Sequence, residues 1–200
     1  AHMGQHLLLL LIAAPLLVMG TPAAVLGWLI PWPNTRRTLA QWWQRHPHLH
    51  HLTRPWVAWL AYGLTLWLWH LPVLYEAALR LRWVHYVEHA LFLSTAVCFW
   101  WVLLRQTSSR YGLGLFLVFT TALHGGLLAV LLTFAPRPWY PIHATTAALW
   151  GLTPLEDQQL AGALMWVPSS LIYVVAAVYL LSSWFKQLEQ RDHRRSRYAE

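Results

Sequence analysis

Cysteine is almost absent from this chain: Cys98 stands alone, inside a hydrophobic run. A single thiol excludes a disulfide framework and a thiolate metal cage within the chain. Cys98 reads as a small buried apolar residue, and any metal site must use His, carboxylate or Met. Charge is scarce too, with 10% charged residues against about 25% in an ordinary soluble domain. The first stretch lacks a basic n-region, so nothing in it resembles a cleavable signal peptide. There is no internal repeat and no low-complexity linker, which predicts one domain over residues 1–200.

What fills the chain is apolar. Hydrophobic residues make up 58% of it, and there are 15 Trp. Trp and Tyr gather where an apolar ring meets lipid and its N–H or O–H meets water. Five stretches are long enough to cross roughly 30 Å of hydrocarbon: approximately 3–30, 55–74, 84–104, 112–134 and 160–185. Pro15 and Gly20-Thr21-Pro22 should kink or shorten the first, and Pro168 lies inside the fifth. The expected fold is therefore all-α, a polytopic transmembrane helix bundle of about five spans with a basic tail at 186–200.

The net charge of +7 is clustered between or after the hydrophobic runs. That pattern reads as control of topology, and it argues against nucleic-acid binding. Eleven basic residues fall on one side: Arg36, Arg37, Arg45, Arg54, Arg105, Arg110, Lys186, Arg191, Arg194, Arg195 and Arg197. Only Arg80, Arg82 and Arg137 fall on the other. The positive-inside rule puts the eleven in the cytoplasm, with the N-terminus outside and the C-terminus cytoplasmic. An outside N-terminus without a signal peptide leads us to expect an even number of helices upstream.

On this map the polar residues collect at the outer face. His2 and His6 are spaced i, i+4 on the first helix, and His85, Glu88 and His89 open the third at i, i+3, i+4; each set shares one helical face. His70 ends the second helix, His143 lies in an outer loop, and Glu156 and Asp157 fall just before the fifth helix. His124 sits roughly 15 Å deeper on the fourth. His46, His48, His50 and His51 occupy the cytoplasmic loop and His193 the tail, where a solvated tract is the simpler reading.

Ionisable groups at membrane depth are costly and usually pair inside the bundle. Imidazole suits Cu, Zn and Fe, and a carboxylate such as Glu88 or Asp157 can hold the second ring nitrogen of a ligand His. The alternative for each His is a hydrogen bond to a neighbouring helix. Two further chemistries stay open. His85-Tyr86-Val87-Glu88-His89 fits H-x-x-E-H, an inverted zinc-peptidase motif, with Glu156 as a distant third ligand. His70 with His124, or His6 with His89, would have to face each other to hold a bis-His haem for electron transfer. A copper permease would need a polar path through the inner half of the bundle, and that half is nearly all apolar.

Gly151-Leu152-Thr153-Pro154-Leu155-Glu156-Asp157-Gln158-Gln159-Leu160-Ala161-Gly162, followed by Met165-Trp166-Val167-Pro168, closely resembles the signature of the CtaG-type bacterial cytochrome c oxidase assembly factors. His2-Met3-Gly4-Gln5-His6-Leu7-Leu8, Trp69-His70-Leu71-Pro72 with Leu74-Tyr75, and His85-Tyr86-Val87-Glu88-His89-Ala90-Leu91-Phe92 are similar to the same family, so the resemblance runs from His2 to about Tyr179. It implies a multi-pass protein of the bacterial plasma membrane that helps mature a haem–copper terminal oxidase. The partners it implies are an oxidase subunit in the membrane and an extracytoplasmic copper donor, and the cargo is copper. Family members typically have about seven helices, so this chain corresponds to one lacking the first two. The matching positions give His6, His85 and His89 as metal ligands, His2 and His70 next, and Glu88, Asp157 and His124 in supporting roles.

Overall fold

The structure is a computed structural model that describes residues 2–20, 41, 54–105 and 111–199. Its order is α1 (His2–Leu7), a π-helical segment (Leu8–Ala13), α2 (Ala14–Met19), α3 (Pro55–Trp69), α4 (Pro72–Arg80), α5 (Arg82–Leu104), α6 (Tyr111–Thr133), a 3-10 turn (Pro141–His143), α7 (Ala144–Ala148) and α8 (Pro154–Ala199). There is no strand among the described residues.

α5 and α6 are each 23 residues long, about 34 Å at 1.5 Å per residue, enough to cross the hydrocarbon. Together with α8 they make three helices among the described residues that are long and apolar enough to span, and the bent pair α3–α4 makes a fourth if counted as one. Five spans were expected. Met3–Met19 is a shorter apolar helix, and the rest of the first expected span, to Ile30, lies outside the described residues, as do His46, His48, His50 and His51. Large apolar side chains face outward all round, Val73 at 80% exposure and Phe119 at 66% among them. Such a surface belongs in lipid.

Two boundaries differ from the sequence reading. The second stretch breaks at His70. Pro72 forces Leu71 into extended backbone, and α4 leaves α3 at 75°. The fifth helix starts six residues earlier than expected, at Pro154, and continues through most of the basic tail to Ala199. Glu156 and Asp157 are thus in its first turn rather than ahead of it. A hydropathy window starts a helix where apolar residues start. The cap here is polar: the Thr153 N–H donates to Glu156 Oε2 at 2.8 Å, and the Glu156 N–H donates to Thr153 Oγ1 at 3.2 Å. That reciprocal pairing is a capping box.

α5 is the hub, packed against the π segment, α2, α3 and α4, while α6 and α8 form the most extensive pair. Gly162 makes that pair possible. A Cβ there would lie 2.6 Å from Thr133 Oγ1 and 2.8 Å from the Thr133 backbone nitrogen, so small size at this crossing lets the backbones touch. The N-terminal helix is locked by its own irregularity. In the π register the Ala14 N–H bonds the Leu9 carbonyl, so the carbonyl of Leu10 would next need the N–H that Pro15 lacks. The Trp100 indole N–H on α5 fills that vacancy at 2.8 Å.

Candidate metal centre

The π segment and Trp100 fix α1 against α5, and this contact brings together histidines that are far apart in sequence. Glu88 is fully buried. His6 Nε2 lies 3.8 Å from its Oε1, His85 Nδ1 3.5 Å from its Oε2, and His89 Nδ1 4.0 Å from its Oε2. Three imidazoles from two helices thus enclose one carboxylate. Burying a carboxylate in an apolar bundle costs several kcal/mol, so a partner cation or shared proton is expected there. His89 donates its Nδ1–H to the His85 carbonyl at 3.0 Å, which leaves the lone pair on Nε2. The rings of His6 and His89 meet edge to face at 4.8 Å, and those of His85 and His89 at 4.2 Å.

The donor set suits a divalent first-row metal. One ligand atom from each of His6, Glu88 and His89 falls within 4.8 Å of the others. Around a tetrahedral ion with metal–nitrogen bonds of about 2.0–2.1 Å, ligand atoms lie about 3.4 Å apart. The three side chains therefore need to close by up to about 1.5 Å to share one ion. Two imidazoles and a carboxylate fit Cu(II) or Zn(II) with positions left open, the coordination of a site that exchanges its ion.

The other expected residues are distributed as follows. His85 is at the edge of the cluster, half-buried, touching Glu88 and the His89 ring. His70 is buried where α3 breaks. Its Nδ1–H donates to the Leu66 carbonyl at 2.7 Å, and it lines a cavity with His6. His2 is in α1, but its side chain lies outside the described residues. Asp157 is near neither the carboxylate nor the imidazoles by any direct bond; its N–H caps onto the Thr153 carbonyl at 3.0 Å. His124 lies elsewhere, in a groove between α3 and α6 with Trp59 and Gly63. His193 is exposed on the far half of α8.

Some residues that hold the site gave no sequence signal as site residues. The Tyr140 hydroxyl donates to the His70 carbonyl at 2.7 Å, closing the break in α3. Burial pushes the pKa of Tyr140 up, so it stays a donor. Tyr75 pairs with His143 Nε2 at 2.9 Å, and its ring meets that of Tyr140 at 4.1 Å. Aromatic residues in a Trp- and Tyr-rich chain carry no spacing that singles out these two.

A family profile described as cytochrome c oxidase caa3 assembly factor matches residues 1–187. The chain belongs to this family. Two proteins named as uncharacterized, Mb0105 of Mycobacterium bovis and MT0111 of Mycobacterium tuberculosis, are each 22% identical to it over 212 aligned residues, covering 100% of this chain and 32% of the relative. The chain thus spans about a third of the length of these relatives. No solved structure matches it.

In this member of the family the signature segment is scaffolding. Thr153 and Glu156 cap α8. Gln158 accepts the Trp139 N–H at 2.6 Å and donates to the Leu132 carbonyl at 3.3 Å, tying the α6–α7 connection down. Gly162 admits α6. The metal-ligand types are on α1 and α5 instead.

Proposed function

We propose that this caa3 assembly factor binds copper at the His6–Glu88–His89 centre, on the outer face of a bacterial plasma membrane, and passes it to a haem–copper oxidase subunit. An extracytoplasmic donor supplies the ion, and His85, His70 and His2 extend the ligand set. The observation that carries this reading is the convergence of α1 and α5 on one buried carboxylate, with ligand atoms within 4.8 Å. Copper is cargo here: open coordination and a half-buried His89 favour capture and release over permanent storage.

The competing chemistries fit the geometry less well. A peptidase needs its glutamate open to water and a peptide carbonyl, whereas Glu88 has no exposed surface. A haem held by His6 and His89 needs a macrocycle between rings that are 4.8 Å apart. His70 and His124 line different cavities.

The test is metal content by mass spectrometry, with an optical spectrum, on detergent-purified protein loaded with Cu(II). The comparison is a His6→Ala/His89→Ala double variant. About one copper per chain in the parent, lost in the variant and without a Soret band, is expected. Equal copper in both proteins, or none in either, removes the ligand assignment; zinc bound in preference to copper replaces the cargo.

A further inference from the structure

Directly beside the carboxylate cluster is a second group of donors, which shares His6 with it. Met3, His6, His70 and Met165 line one cavity of about 30 Å³, together with Tyr62, Tyr173 and Ser169. All four donor residues are at least nine-tenths buried. The volume holds about one water or one ion, and no organic ligand. The chain has three Met, and two of them face this cavity.

His70 is the telling residue. Its Nδ1–H is committed to the Leu66 carbonyl, so the lone pair is on Nε2. That nitrogen is buried with no hydrogen-bond partner. The hydroxyls nearby are used elsewhere: Tyr62 and Tyr173 pair with each other at 3.0 Å, and Ser169 donates to the Met165 carbonyl. A buried acceptor left without a donor costs free energy, so an occupant that takes the lone pair is favoured.

We propose that this cavity is a Cu(I) site, with Met3 and Met165 sulfur and His70 Nε2 as ligands and His6 shared with the neighbouring centre. It rests on the reading of copper as cargo and adds its oxidation state and a second position. Two physical arguments select the ion. Thioether and imidazole are soft and borderline donors that prefer Cu(I) to Zn(II) or Mg(II). All four ligands are neutral, so a bound monovalent ion leaves a single charge in an apolar interior where a divalent ion leaves two, at far greater solvation cost. The carboxylate of Glu88 supplies that missing charge one site away, which is why the two positions differ in oxidation state. No redox step is involved: Cu(I) enters as Cu(I). Methionine as a mere gap filler accounts for the sulfurs but not for their meeting an unpaired imidazole nitrogen.

The experiment uses the full 200-residue chain in detergent under anaerobic conditions, titrated separately with Cu(I) and Cu(II), with X-ray absorption on the Cu(I) form. Sulfur scatterers are expected around Cu(I) in the parent. Met165→Leu and Met3→Leu/Met165→Leu, which conserve volume, should lose the sulfur shell and at least tenfold in Cu(I) affinity, with Cu(II) affinity unchanged within twofold. Glu88→Gln/His89→Ala should show the converse, losing Cu(II) and keeping sulfur-ligated Cu(I). A shell of nitrogen and oxygen only, or Met variants that bind Cu(I) like the parent, overturns the proposal and leaves a water-filled cavity. If the parent binds sulfur-ligated Cu(I) but no Cu(II), this site stands and the carboxylate centre falls.

Discussion

A buried carboxylate ringed by imidazoles makes Glu88 the residue on which the centre turns. Glu88→Gln keeps the shape and removes the charge, so it separates a structural role from a ligand role. Cu(II) affinity should fall at least tenfold, about 1.4 kcal/mol, while the melting temperature in detergent changes little or rises, because the desolvation cost of a buried carboxylate is removed. An unchanged Cu(II) affinity would make Glu88 a packing residue. Proton competition gives a second check at the same scale. Imidazole binds metal only through a neutral nitrogen, so acidification should weaken copper binding. Equilibrium dialysis across a pH series reads this directly, and a copper affinity independent of pH would exclude His6 and His89 as ligands.

Elements, more than single residues, decide whether the centre forms. α1 reaches α5 only because the π segment shifts the hydrogen-bond register and Trp100 bonds the Leu10 carbonyl that Pro15 cannot serve. Trp100→Phe keeps the ring and deletes the donor. A loss of about 1 kcal/mol in detergent unfolding is expected, with weaker Cu(II) binding because His6 is no longer held in register. The α6–α8 pair rests on Gly162, where even a methyl group meets backbone atoms at 2.8 Å and 2.9 Å. Gly162→Ala should cost about 1–3 kcal/mol; a melting temperature equal to that of the parent would show that the crossing relaxes without strain.

At the scale of the whole molecule, the ligands come from helices that only the folded bundle brings together, so copper binding and stability are linked. At a free ion concentration of 100 times Kd, Cu(II) should stabilise the native state by about 2.7 kcal/mol. Thermal unfolding should therefore rise with Cu(II) in the parent and not in the His6→Ala/His89→Ala variant. The family assignment fits such a molecule: an apolar bundle with outward-facing apolar side chains and a concentration of metal-ligand types where α1 meets α5.

The sequence by itself determined the helical, membrane-embedded character, because long apolar runs and sparse charge admit no other fold class in lipid. It also determined that His85, Glu88 and His89 share a face, since an i, i+3, i+4 spacing is fixed by the helical repeat. The segment most specific to the family, from Gly151 to Gly162, was legible as a signature, but its work as cap, clamp and crossing point was not. Hydrogen bonds from Gln158 to Trp139 and Leu132 join residues whose sequence separation carries no period. Only the tertiary structure decided that His6 meets Glu88, that His124 does not, and that His70 shares a cavity with two methionines. Contacts between helices depend on register, break angle and side-chain volume at each crossing, and these are set by the packing of the bundle as a whole.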